Sequence, residues 1–137
     1  MINIRPNLGG SQMKPIRITV EEIEMHAQLN ESDTAHLIWD ALPIEANLNL
    51  WGDEIYFRTE VESELEASAS DVVSSGDIAY WPPGSAFCIF YGPTPASTEH
   101  EIRAASAVNI IGAIIGDEEA FKQVNNGATI LITKAVE

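Results

Sequence analysis

Cysteine, basic side chains and long apolar runs are what this sequence has least of. Its single cysteine, Cys88, cannot form an intramolecular disulfide, so nothing calls for an oxidising compartment. Lysine and arginine total 7 against 21 acidic residues, a net charge of −14. Displacing counterions from phosphates requires clustered Lys and Arg, so nucleic acid is excluded as a partner. The same sign disfavours anionic membrane surfaces. The acidity is read as serving solubility or a salty cytoplasm, with a specific basic partner as the lesser alternative. No stretch approaches the ~20 apolar residues that span a bilayer. The opening MINIRPNLGGSQMKP has no apolar run of signal-peptide length, so a cytoplasmic protein is expected. Phosphate loops, nucleophile elbows and zinc spacings are missing as well. His26, His36 and His100 are spaced unlike metal ligands and are expected to be solvated, so neither metal nor cofactor is anticipated.

What is present is enough for one core. A chain of 137 residues with 45% hydrophobic content is a single globular domain on size and composition. Residues 1–13 are polar and contain Gly9-Gly10, which predicts a flexible arm ahead of a domain over 14–137. In PIRITV, Ile16, Ile18 and Val20 alternate with polar residues, and IEMHAQLN alternates likewise. The two form a hairpin if the chain turns at Glu21-Glu22. Ala35, Ile38, Trp39 and Leu42 then follow helical spacing, with Ser32 or Asp33 as cap and Pro43 as stop. ANLNLWGDEIYFR predicts a second hairpin turning at Gly52-Asp53, with Glu54, Tyr56 and Arg58 on one face. EVESELEASASDVVSSGD predicts a short edge strand followed by an exposed loop. DIAYW and SAFCIFY predict a third hairpin through a type II turn at Pro83-Gly84. SAVNIIGAII predicts a buried strand, DEEAFKQV a short helix and ATILITK a last strand. About eight strands arriving mostly as hairpins, with two short helices, predict a mainly β fold: a closed antiparallel barrel.

Three blocks in this order, LWGDEIYF at 50–57, GDIAYWPPGSAFCIFYGPTP at 76–95 and ASAVNIIGAI at 105–114, resemble a small prokaryotic cyclophilin-like family. The resemblance runs from about Lys14 to the end. It implies an eight-stranded cyclophilin-like barrel with a helix closing each end. Cyclophilins proper are peptidyl-prolyl isomerases that use an arginine accompanied by phenylalanine and histidine. The phenylalanine-histidine-arginine run is missing here, as is the glycine-rich segment between those strands, so no catalytic residue carries over.

Prolyl isomerisation lowers a rotational barrier of ~18–20 kcal/mol and needs an apolar socket plus a donor that favours the twisted amide. Arg58 is the candidate donor, although an exposed strand end paired with an acid explains it as well. Glu54 and Tyr56 are candidates for the same hollow or for the outward face of a half-buried hairpin. Phe87 and Phe90 are expected in the core. Trp81 and Tyr91, beside turns, suit either core or an aromatic socket. Trp81-Pro82 is a candidate cis bond. Cys88 is expected to be a small buried hydrophobe, and Asn109 to make a structural hydrogen bond. The reading that follows is a module binding a peptide or small-molecule ligand at the barrel side through Glu54, Tyr56, Arg58, Trp81 and Tyr91, with little or no isomerase activity. A peptidyl-prolyl isomerase with a rearranged site is the alternative, and a subunit of a larger assembly is the third.

Overall fold

The computed structural model describes residues 14–135, so the arm expected over 1–13 lies outside the described residues. The elements are β1 (Lys14–Val20), β2 (Ile23–Leu29), helix α1 (Asp33–Ala41), β3 (Ile44–Asn47), β4 (Asn49–Leu50) and β5 (Glu54–Arg58). They continue with β6 (Ser70–Val73), β7 (Asp77–Trp81), β8 (Ala86–Phe90), β9 (Ile102–Ile115) and β10 (Thr129–Lys134). Two 3-10 turns, Pro82–Gly84 and Glu118–Gln123, complete the chain. No helix among the described residues is long and apolar enough to cross a membrane.

Where one strand face meets the core, alternation gives the right structure. Val20 pairs with Ile23, so β1 and β2 form the expected hairpin around Glu21-Glu22. β1 also pairs with β10, Ile18 opposite Ile132, bringing the last strand beside the first. Ile16, Ile18, Val20, Ile130 and Ile132 are fully buried. Each such side chain contributes about 1.5–3 kcal/mol, and a one-residue slip would turn the whole set to solvent. Helix α1 seats Ala35 and Ile38 in the same core, and Ser32 caps it by accepting from the Ala35 N–H at 3.2 Å. It ends at Leu42–Pro43, which is the cis bond among the described residues, in place of Trp81–Pro82.

The barrel departs from its expected closure. Ten strands run in the order β3-β10-β1-β2-β9-β7-β8-β5-β4, with β6 on β9. The second hairpin is divided: β3 pairs with β10 and only β4 pairs with β5. The sheet's two ends are therefore consecutive in the chain and meet at Leu48. No ladder joins β3 to β4 or β5 among the described residues, so hydrogen bonds do not close the wall. Leu48 donates to Ala128, accepts from Gly127 and buries its side chain in the core.

Three local differences follow from packing on the outer side of the sheet. The serine-rich segment places its loop first and its strand second, because β6 pairs with the first half of β9. At 14 residues, β9 outruns its partners: its second half pairs with β7 and β2, its first half with β6. The β6–β9 ribbon thereby lies over the outer face of β7 and β8. Val73, Ala104 and Val108 pack there on Ala79, Ala86, Cys88 and Phe90 as a second apolar cluster. All five residues of β8 are consequently buried, Phe87 on the inner face and Phe90 on the outer. The β7–β8 hairpin forms as expected. Its left-handed residue is Ser85, at φ 49°, rather than Gly84, because Pro82–Gly84 winds into a 3-10 turn.

Candidate functional site

The second cluster is incomplete, and the gap is a cavity of 280 Å³ on the outer wall. Trp51, Glu54, Tyr56, Trp81, Cys88, Ala104, Ala105 and Val108 line it. Period-2 geometry brings Glu54 and Tyr56 to one face of β5, opposite Phe90 and Cys88 of β8. Small residues on β9 keep the ribbon from filling the space that Trp81 and Tyr56 flank.

Two tight approaches hold the aromatic walls. Gly84 sits beneath Trp81: a Cβ there would lie 2.9 Å from the indole Cε3, closer than side chains tolerate. The Trp81 indole nitrogen donates to Ser106 Oγ at 2.7 Å, pinning the ribbon to the rim. Trp51 stands on the turn before β5, where Gly52 adopts φ 62° and packs against Pro93, Thr94 and Pro95. The GPTP segment is thus a buttress for that turn, with Asp53 N–H donating to Pro93 O at 2.9 Å.

Glu54 is the unusual member. It is 6% exposed and stands beside the Cys88 thiol, which itself donates to Ala86 O at 3.9 Å. Burial disfavours the charged form and pushes its carboxyl from 4.5 to about 7, while the thiol contact pulls the other way. Cys88 is pushed well above its ordinary value, by burial first and by Glu54 second. The thiol is therefore protonated and no nucleophile, in keeping with the small buried hydrophobe expected from sequence. No lining residue is Lys, Arg or His.

The structure brings Glu54, Tyr56 and Trp81 together and places Arg58 and Tyr91 elsewhere. Arg58, at the exposed end of β5, borders a different hollow with Pro43, Glu45, Glu60 and Val61. Tyr91 is 3% exposed and packs on Phe121 in the inner core, ring centroids 6.0 Å apart. Its hydroxyl is pushed up to about 12 by burial, Asp53 and Glu54. Trp51 and Cys88 are wall residues that the site expectation left out. Trp51 stands inside LWGDEIYF, so the motif itself carried that signal. Among the described residues no group of three His, Cys, Asp or Glu could hold a metal ion. Asn109 is structural: it accepts from Glu66 N–H at 2.8 Å and donates to Thr34 Oγ1 and Glu64 O.

A family model described as cyclophilin-like matches residues 14–133. This chain belongs to the cyclophilin-like family. The cyclophilin-like chain is similar to the solution structure of a hypothetical protein from Archaeoglobus fulgidus, with 43% identity, a TM-score of 0.76, and coverage of 90% of this chain and 96% of that one. It is also similar in fold to McbB, solved in complex with tryptophan, at 16% identity and a TM-score of 0.68; the match covers 89% of this chain and 45% of McbB. No curated protein matches the cyclophilin-like sequence.

Proposed function

We propose that this cyclophilin-like domain is a binding module that takes a small ligand in its outer-wall cavity, with little or no prolyl isomerase activity. The observation that carries the reading is Glu54: among the described residues, no cation pairs with this ionisable group in the wall of an apolar hollow. Folding gains nothing from such a group, since desolvating a carboxyl without a strong partner costs stability. An acid shifted by desolvation within a cleft is the kind of group that functional sites are built around. McbB, of the same fold, is solved with a small molecule, tryptophan.

The isomerase alternative draws less support. Its donor would be Arg58, which borders a hollow separate from the aromatic walls. A socket for the proline ring and a donor for the imide nitrogen must act on one peptide bond, and here they stand apart.

Amide-resolved NMR titration with a library of small fragments tests the reading. Shifts are expected around Glu54, Tyr56, Trp81 and Ala105, and Ala105→Trp, which fills the cavity, should abolish them. Shifts centred on Arg58, or none at the cavity, would overturn the reading. Exchange spectroscopy on X–Pro peptides completes the test: turnover lost in a folded Arg58→Ala variant would establish the isomerase instead.

A further inference from the structure

The same cavity restricts the chemistry of what can fill it. Its walls offer three aromatic rings, Trp51, Tyr56 and Trp81, and one carboxyl, Glu54, with no positive side chain among them. An anionic ligand would find no positive side chain there, would meet Glu54, and would approach a chain of net charge −14. A wholly apolar ligand would seal the carboxyl away from water and supply no donor of its own, a costly desolvation. A cation resolves both difficulties. Aromatic faces carry the negative end of the ring quadrupole, most strongly in Trp, and attract ammonium groups. A carboxylate accepting from an ammonium forms a charge-assisted hydrogen bond, the strong kind. The 280 Å³ volume lies just below the ~300 Å³ at which ligand pockets usually begin, adequate for a compact molecule.

Resting on the reading of the cavity as a small-ligand site, we propose that its ligand is a small organic cation. An ammonium head meets the Glu54 carboxylate, and an apolar or aromatic body lies against Trp51, Tyr56 and Trp81. Binding then draws Glu54 into its ionised form and releases a proton where the acid was protonated. The titratable groups around Glu54 are Tyr56 on its own strand, Cys88 and Tyr91 on or just after β8, and the neighbouring Asp53, whose carboxylate pairs with Lys122 at 3.9 Å. Trp81 on β7 and Ala104, Ala105 and Val108 on β9 add none. Cys88 and Tyr91 are both pushed upward, so they stay protonated between pH 6 and 8 while Glu54, near 7, titrates.

The test uses the full chain and three probes of similar shape: phenethylammonium, 2-phenylethanol and phenylacetate. Binding is followed by calorimetry and by the fluorescence of the wall tryptophans. Phenethylammonium should bind at least about tenfold more tightly than the alcohol at pH 8, with phenylacetate weakest. Its affinity should rise about tenfold from pH 6 to pH 8, as Glu54 ionises while the amine stays charged. Glu54→Gln keeps the shape and should erase both the preference for the cation and the pH dependence, while leaving the alcohol's affinity in place. Equal affinity for cation and alcohol, or a preference that survives Glu54→Gln, would refute the cation and leave the cavity reading standing. Failure of all three probes to bind would remove both.

Discussion

Glu54 and Cys88, on adjacent strands, share the floor of the outer cavity and act on each other unequally. The carboxyl's charge helps push the thiol upward, whereas the thiol's contact draws the carboxyl downward against the larger effect of burial. Both groups are shifted toward their protonated, neutral forms chiefly by burial, the thiol with a further push from Glu54. A neutral acid and a neutral thiol are compatible with the apolar packing around them, and only the acid changes state near pH 7.

That state change predicts how stability depends on pH. The Glu54 carboxyl is raised in the folded chain, to about 7, above its unfolded value near 4.5. The contribution is fully present below the unfolded value and is lost as pH rises to and through about 7, because the folded state then binds the extra proton. Glu54→Gln should consequently be near neutral at pH 5 and stabilising by about 2–3 kcal/mol at pH 8. Urea midpoints at the two pH values check this. An equal effect at both would show that burial does not raise the acid.

The thiol makes a separate prediction. Cys88 is 2% exposed and pushed upward, so it is both inaccessible and protonated. Thiolate is the reactive form, so a disulfide reagent at pH 8 should modify the folded protein at least about a hundredfold more slowly than the urea-unfolded chain. Rapid modification of the folded chain would mean that the outer cluster opens readily.

Gly84 and Trp81 test the rim. A methyl group at residue 84 would fall 2.9 Å from the indole Cε3, and the ring would have to move. Gly84→Ala should cost about 1–3 kcal/mol, as overpacking does. The displaced indole would lose its bond to Ser106 Oγ, formed at 2.7 Å, and its emission should shift to the red. Unchanged emission with unchanged stability would contradict this account of the wall.

Legibility from sequence depended on how many faces of a strand are covered. β1, β2 and β10 each bury one face, so Ile16, Ile18, Val20, Ile130 and Ile132 announced themselves by alternation. β8 is buried throughout, and alternation cannot distinguish its inner Phe87 from its outer Phe90 by polarity. Glu54 was named as a candidate, yet its burial was hidden, since an acid at the head of a strand normally points to water. The β9 residues that share its cavity, Ala104 and Val108, lie about fifty residues downstream on a ribbon whose fold-back no local pattern encodes. The missing ladder at the sheet's ends is invisible in the sequence for a similar reason. ANLNL alternates without a break, although its two halves serve different neighbours.

Asn109 anchors the loop over residues 59–69. Its amide joins Glu66 N–H, Thr34 Oγ1 and Glu64 O, at 2.8, 3.1 and 2.9 Å. Asn109→Ala leaves these groups without that partner, among them the hydroxyl of the fully buried Thr34, which should cost about 1–3 kcal/mol. Hydrogen exchange at the Glu66 amide should accelerate more than at Ile18 in β1. Parallel acceleration at both would mean that the loop has no separate anchorage.

Leu48 bears on the most distinctive feature of the wall. Its backbone bonds to Ala128 and Gly127, at 2.9 Å each, on the side of β10, while the next two residues pair with β5. Its side chain is 1% exposed in the inner core. Leu48, together with the Leu50 N–H donating to Asn126 Oδ1 at 2.8 Å, thus ties the two ends of a sheet that no strand ladder closes. Leu48→Ala removes a buried side chain at the seam and should cost about 2–5 kcal/mol. Leu131→Ala, on the exposed face of β10, should stay within about 0.5 kcal/mol. If Leu48 acts only as core filler, exchange protection should fall evenly across the sheet in proportion to lost stability. If it is the seam, protection should fall first at the amides of Gly127, Leu48 and Trp51, while the β1–β2 hairpin keeps its own. The second pattern is expected, because β1 and β2 are paired on both sides and the seam is not.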